Sequence, residues 1–117
     1  AALYFANVAY FENAVLQLER ENPDARYILI AANGINLLDA SGVDMLWNLA
    51  ERLRQNGIEL AFAAVKAQVA EVMERTGLTE IIGRGNLFPT EMAAVDGLRM
   101  RADSRPAPPA GEGRASA

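Results

Sequence analysis

The chain has 117 residues and a mass of 12.6 kDa, and 51% of its residues are hydrophobic, which is typical of one globular domain. It contains neither cysteine nor histidine, so disulfide frameworks, thiolate nucleophiles, Cys/His zinc sites and Ser-His-Asp triads are excluded. The net charge is −4, and an acidic surface repels phosphate backbones, which makes nucleic acid an unexpected partner. No apolar run reaches the roughly 20 residues that cross a bilayer, so this stretch of chain is not predicted to span a membrane.

The first third of the chain alternates between strand and helix patterns. Ala1–Phe5 is short, aromatic and apolar and is typical of a strand. Helical spacing follows, and Asn22-Pro23-Asp24 ends it with turn residues. Arg26–Ala32 is a continuous apolar run that predicts a strand covered on both faces of a parallel sheet. The apolar face of the first helix is predicted to consist of Val8, Phe11, Val15 and Leu18.

The middle of the chain repeats this alternation. Asn33–Gly42 is a predicted loop, and the clearest helix of the chain follows it and ends near Gly57. Ile58–Val65 is the next predicted strand, and a third helix is expected between Lys66 and Gly77. The apolar stripes of these two helices are Val43, Leu46, Trp47, Ala50 and Leu53, and then Val69, Val72 and Met73.

The last part of the domain is less regular. Leu78–Asn86 is predicted to be a loop or a short turn, and Leu87-Phe88 a brief strand. A fourth helix begins after Pro89-Thr90, with an apolar face of Met92, Val95 and Leu98, and Gly97 weakens it. The pattern predicts an α/β fold with a mostly parallel central sheet of about four strands and about four helices. Residues 1–101 form the expected single domain, and residues 102–117, rich in proline, glycine and alanine, are expected to be a disordered tail.

The loop before the second helix is the first place to look for a binding site, because ligands of open parallel sheets meet the carboxyl ends of the strands. One interpretation makes Ser41 the N-cap and Asp44 its partner in a capping box. The other makes the amides of Ser41, Gly42 and Val43 a site for a phosphate or carboxylate. Capping is favoured since it needs no ligand. Lys66, after the next strand, is a candidate contact for an anion at the same edge.

Other motifs carry less chemistry. Gly83-Arg84-Gly85 only imitates a phosphate loop, because the third glycine and the Lys-Ser/Thr pair are missing. Asp39 and Asp44 could be imagined as an acid and base pair or a magnesium site, but one precedes the helix and the other lies in its first turn. The residues predict neither a catalytic constellation nor a metal site.

An ordered series of short motifs resembles one family. The series is Phe5-Ala6-Asn7, Asp39-Ala40-Ser41-Gly42-Val43, Gly57-Ile58-Glu59-Leu60 with Val65-Lys66, Arg75-Thr76-Gly77-Leu78, and Phe88-Pro89-Thr90 with Ala94-Val95. It resembles the STAS domain, the sulfate transporter and anti-sigma factor antagonist module, over about residues 3–98. The Phe-Ala-Asn opening and the Gly-Ile-Glu-Leu stretch resemble the cytoplasmic carboxy-terminal domain of the sulfate permease (SulP) anion transporters more than the free-standing antagonists.

The resemblance implies a non-catalytic regulatory and interaction domain without a cofactor. It implies that the chain belongs to a membrane-anchored parent transporter, lies at the cytoplasmic face, and contacts the parent's membrane domain, a protein partner or a second copy. The family's first strand begins before Leu3, so Ala1 is expected to mark a cut in a longer chain. The implied partner or anion site is the loop with Asn36, Leu37, Asp39, Ala40, Ser41, Gly42 and Val43.

One position departs from the antagonist pattern. The phosphorylated serine of the free-standing antagonists follows the aspartate, and Ala40 stands there in this chain. Ser41, one residue later, is the remaining phosphorylation candidate, and a phosphate would add about −1.5 to −2 charges at the helix start. The alternative function is a free-standing, cytoplasmic antagonist that binds an anti-sigma kinase through the same loop and the Val43–Asn56 helix. Nucleotide binding at that helix end is compatible with either function, but no P-loop supports it.

Overall fold

The computed structural model describes residues 8–104, which form a three-stranded parallel sheet with helices on both faces. The strands are β1 (Tyr27–Ala31), β2 (Glu59–Ala63) and β3 (Leu87–Phe88), with β2 in the centre. Tyr27 lies opposite Glu59 and Phe62 opposite Leu87. These three strands confirm the predicted ones, whereas the strand predicted over Ala1–Phe5 lies outside the described residues.

Five α-helices connect and cover the strands. They are α1 (Val8–Glu21), α2 (Ala40–Gln55), α3 (Ala67–Thr76), α4 (Leu78–Ile82) and α5 (Glu91–Ser104). Single-turn 3-10 helices follow β1 at Ala32–Gly34 and precede β3 at Arg84–Asn86. The strand and helix alternation therefore follows the sequence prediction, with one additional short helix.

The main core lies on one face of the sheet. Ile28, Ile30, Leu60 and Phe62 are all buried, and they share a face because side chains alternate along a strand. α2 packs on this face through a stripe that matches the predicted one: Val43, Leu46, Ala50 and Leu53 are buried and Trp47 is half-buried. Periodicity over four turns predicted this helix and its buried face, because apolar residues recur at helical spacing, although the helix begins two residues earlier than a Ser41 cap would place it.

The opposite face carries a thinner layer, formed by α5. β2 presents Ala61 and Ala63 there, both fully buried, and α5 presents Ala94 and Leu98. β1 is less covered, since Leu29 is half-buried and Ala31 exposed on this face. The prediction of a β1 strand buried on both faces was therefore wrong, because an apolar sequence run does not report how far a covering helix extends.

α5 packs in a different orientation from the predicted one. Met92 is 75% exposed and Val95 41% exposed, so of the predicted apolar face only Leu98 points inward. Gly97 allows the close approach, because a Cβ atom there would lie 2.9 Å from Cε1 of Phe88. The helix continues to Ser104, three residues past the predicted domain boundary at residue 101, and the rest of the predicted tail lies outside the described residues.

The predicted loop over Leu78–Asn86 is a helix followed by a 3-10 turn. Gly77 has φ +85°, which caps α3 and starts α4 directly after it. Leu78 and Ile82, four residues apart, are both buried and join the main core. The prediction was wrong because a five-residue helix is too short for its period to be recognised beside two glycines.

Candidate functional site

The candidate site lies at the carboxyl ends of β1 and β2. The chain between β1 and α2 runs over residues 32–39, and the chain between β2 and α3 over residues 64–66. Because neighbouring parallel strands end at the same edge of a sheet, these two connections lie side by side. This placement agrees with the sequence prediction for the loop and for Lys66.

The helix start is capped by Asp39, not by Ser41. Oδ1 of Asp39 accepts a hydrogen bond of 2.9 Å from the amide of Gly42, and α2 begins at Ala40. Ser41 is therefore the second helical residue, and the predicted capping box of Ser41 with Asp44 is wrong. Both serine and aspartate are good caps, so the choice depended on where the backbone turns into the helix.

The cap also uses two of the three amides that the anion interpretation required. The amide of Gly42 donates to the Asp39 carboxylate, and the amide of Val43 donates to the carbonyl of Asp39 at 2.9 Å. A carboxylate of the chain thus already lies at the positive end of α2. A Cβ atom at Gly42 would come within 2.8 Å of Leu38, which explains the glycine by close packing. This geometry disfavours a free phosphate or carboxylate at the helix start.

Asn36 joins the two connections. Nζ of Lys66 donates a hydrogen bond to Oδ1 of Asn36, and Nε2 of Gln68 donates to the carbonyl of Asn36 at 3.5 Å. Lys66 therefore lies beside the predicted loop, as the sequence indicated. Gln68 was not among the predicted site residues, and its position two residues after Lys66 at the start of a helix was the available signal.

The loop presents an apolar side chain to solvent between two anchored residues. Leu37 is 57% exposed, while its neighbour Leu38 is buried. Ala40 is exposed and Ser41 half-buried. Of the predicted site residues, the structure thus brings Asn36, Leu37 and Lys66 to one accessible surface, while Asp39, Gly42 and Val43 support the helix start.

A strained residue lies where β2 leaves the sheet. Ala64 has φ 60°, a left-handed conformation that costs an L-residue about 1–2 kcal/mol. Its amide donates to the carbonyl of Phe88 at 2.9 Å, which ties the turn to β3. The turn precedes Lys66 by two residues. Sequence alone did not indicate this strain, because alanine has no preference for that conformation.

Arg84 and Gly85 of the Gly83-Arg84-Gly85 motif lie in a 3-10 turn. The Arg84 guanidinium is not free to bind a phosphate, because it is paired with carboxylates of the chain. Nη2 of Arg84 donates to both carboxylate oxygens of Glu74, at 3.0 and 2.8 Å, and to Glu80 at 2.6 Å. These bonds, first to Glu74 and then to Glu80, raise the pKa of Arg84. The guanidinium links α3 and α4 to the turn.

Residues 8–104 contain neither a membrane-spanning helix nor a cluster of metal-binding side chains. Within residues 8–104, none of the helices combines the length and apolarity needed to cross a bilayer. The same residues contain no group of three or more carboxylates placed to hold a metal ion. Asp44 is exposed on α2 while Asp39 points to the Gly42 amide.

The corrected cap leads to a direct test. Replacing Asp39 with alanine is expected to lower the free energy of unfolding by about 0.5–2 kcal/mol, because the Gly42 amide loses its acceptor. Ser41→Ala is expected to change it by less than about 0.5 kcal/mol. Urea denaturation followed by the fluorescence of Trp47, the single tryptophan, measures both. Equal losses in the two variants would contradict the assignment of Asp39 as the cap.

Comparison with known proteins relates this fold to transporter domains. The family model of the STAS domain matches residues 1–94. A probable sulfate transporter 4.2 of Arabidopsis thaliana is 27% identical over 98 residues, which covers 75% of this chain and 14% of the transporter. The chain therefore spans about one seventh of the length of that relative.

Two solved structures share the fold. A sulfate transporter family protein from Wolinella succinogenes superposes with a TM-score of 0.78 at 20% identity, covering 89% of this chain and 84% of that one. The STAS domain of a SulP transporter from Vibrio cholerae superposes with a TM-score of 0.70 at 15% identity, covering 82% and 78%. Because the family model matches most of the chain and the sheet and helices superpose on those of solved relatives, this chain belongs to the STAS domain family.

Proposed function

We propose that this chain is a non-catalytic regulatory and interaction domain of a SulP-type sulfate transporter, located at the cytoplasmic face of the membrane. The observation that carries the proposal is the family match over residues 1–94 together with a relative named as a sulfate transporter. The anion path would lie in other parts of the parent protein. The domain would act on the parent's membrane domain, on a protein partner or on a second copy of itself.

The loop over residues 35–43 is the proposed contact surface. It holds an exposed apolar side chain, Leu37, between the buried Leu38 and the hydrogen-bonded Asn36. A loop fixed at both sides can present Leu37 without a large loss of conformational entropy on binding. The Asp39 carboxylate is already used as a cap, which favours binding over acid and base chemistry at this loop.

The alternative is a free-standing antagonist of an anti-sigma factor. Ala40 is exposed at the first turn of α2 but has no hydroxyl group, so the position that resembles the antagonists' phosphorylation site cannot be phosphorylated. Ser41 is half-buried and stays the weaker candidate. The relative named above is a transporter, and we therefore prefer the transporter domain.

Cell fractionation tests the parent protein. An antibody raised against this domain is expected to detect, in the membrane fraction, a band several times heavier than the 12.6 kDa of this chain. A band near 12.6 kDa in the soluble fraction would contradict the transporter proposal and favour the antagonist.

Uptake of labelled sulfate by the parent protein tests the loop. Leu37→Ser is expected to change the uptake rate, because it removes the exposed apolar contact. Met92→Ser is the matched control, since Met92 is a similarly large exposed apolar residue on α5. Unchanged uptake with Leu37→Ser, at equal amounts of protein in the membrane, would contradict a role for the loop.

A further inference from the structure

The loops at the carboxyl edge of the sheet contain one acidic and one basic residue. Residues 32–39, 64–66 and 89–90 include Asp39 and Lys66 and no other charged side chain. The Asp39 carboxylate is turned inward to the Gly42 amide. Lys66, the single lysine of the chain, is therefore the charged side chain that these loops present to an external partner.

Lys66 differs from three of the arginines in its partner. Arg52, Arg75 and Arg84 each form an ion pair with a glutamate. Lys66 donates to the amide oxygen of Asn36, which is neutral, and it forms no ion pair with any carboxylate of residues 8–104. Its positive charge is thus held in place and still available to an external carboxylate.

Exposed apolar residues lie close to Asn36 and Lys66 along the chain. Leu37 follows Asn36 directly and is 57% exposed. Ala40 and Ala67 are exposed on the same two chain segments. We call Leu37, Ala40, Lys66 and Ala67 the Leu37–Lys66 surface. The hydrogen bonds of Lys66 and Gln68 to Asn36 hold its two segments together.

We propose that the Leu37–Lys66 surface binds a protein segment that places a carboxylate on the Lys66 ammonium and an apolar side chain against Leu37. This inference rests on the proposed function, since it names the kind of partner that the loop would take. A carboxylate next to an apolar side chain complements both features of the surface, and like charges from a basic segment would be repelled by Lys66.

A protein segment fits better than a small anion. The amides of Gly42 and Val43 already donate to Asp39, so an inorganic anion at the start of α2 would lack these two donors. A solvent-exposed ion pair contributes little by itself. Apolar area buried against Leu37 and the two alanines supplies the remaining free energy of binding.

Peptide selection provides the probe. A phage library of random dodecapeptides would be panned on the 117-residue chain, immobilised through a carboxy-terminal biotin because amine coupling would modify Lys66. Enriched peptides are expected to combine Asp or Glu with Leu, Ile or Phe. Synthetic copies, measured by fluorescence anisotropy, are expected to bind Leu37→Ser about tenfold more weakly.

Two substitutions of Lys66 test the role of its positive charge. Lys66→Gln is expected to weaken peptide binding about threefold or more and to reduce the dependence of binding on salt. Lys66→Arg is expected to keep both the affinity and the salt dependence, because it keeps the positive charge. Met92→Ser and Arg99→Gln, at exposed positions of α5, are expected to bind like the parent chain. Circular dichroism of each variant separates lost binding from lost folding.

The proposal would be overturned if no peptide were enriched, if the enriched peptides were basic, or if Lys66→Gln bound the peptides as tightly as the parent chain. Displacement of the peptides by sulfate at low millimolar concentration would also overturn it and assign the surface to an inorganic anion. The uptake assay with Leu37→Ser does not depend on the charge of Lys66. A changed uptake rate together with unchanged peptide binding by Lys66→Gln would leave the proposed function standing and remove the acidic partner.

Discussion

Replacing Phe62 with alanine is expected to lower the free energy of unfolding by about 3–5 kcal/mol. Phe62 lies in the central strand β2 and is 1% exposed. It belongs to the main core, together with residues of β1, α2, α3 and α4. Removal of its ring would leave a cavity that strands paired on both sides cannot close, and a small domain has only about 5–15 kcal/mol of stability to lose.

Urea denaturation at low temperature, followed by Trp47 fluorescence and by circular dichroism, measures this loss. Phe62→Leu is the matched control and is expected to cost clearly less, because most of the apolar volume stays. Met92→Ala, at a 75% exposed position, is expected to be close to neutral. A loss below about 1 kcal/mol for Phe62→Ala would contradict the central position of Phe62 in the core.

Replacing Asn86 with alanine is expected to lower the free energy of unfolding by about 1–3 kcal/mol. Asn86 is 4% exposed. Its Nδ2 donates to Oε1 of Glu59 and to the carbonyl of Ile82, both at 2.9 Å, and its Oδ1 accepts from Nη1 of Arg101 at 2.7 Å. Alanine would leave these three groups without this partner, and the Ile82 carbonyl lies where little water can replace it.

Arg101 extends this network to α5. Its guanidinium lies 5.8 Å from the ring centre of Tyr27 and 5.6 Å from that of Phe88, and it also donates to the carbonyl of Gly85. The network therefore attaches the end of α5 to all three strands. In Asn86→Ala, amide hydrogen exchange is expected to be faster in α5 than in α2.

Two comparisons test the Asn86 prediction. Asn48→Ala, at an exposed position inside α2, is expected to be neutral or slightly stabilising, because alanine favours the helix. The double variant with Arg101→Ala is expected to lose less than the sum of the two single variants, since the pair shares a hydrogen bond. Additive losses would show that Asn86 and Arg101 act independently.

Some of the candidate site was predictable from local sequence. The strand run before Asn33 and the periodic stripe from Val43 onward located the connection between them at the carboxyl edge of the sheet. The same rule placed Lys66 at that edge after β2. The choice of Asp39 over Ser41 as the cap was not predictable, because both residue types cap helices and one residue of backbone geometry decides between them.

The sequence by itself determined the α/β alternation, the three described strands, the buried stripe of α2 and the loop that carries Leu37, because apolar period and turn residues act between near neighbours. The tertiary structure decided the short helix α4, the inward face of α5, the strained turn at Ala64 and the bond between Lys66 and Asn36. Lys66 and Asn36 are 30 residues apart in the chain. Such features depend on which distant segments meet when the sheet forms, and no local pattern encodes that meeting.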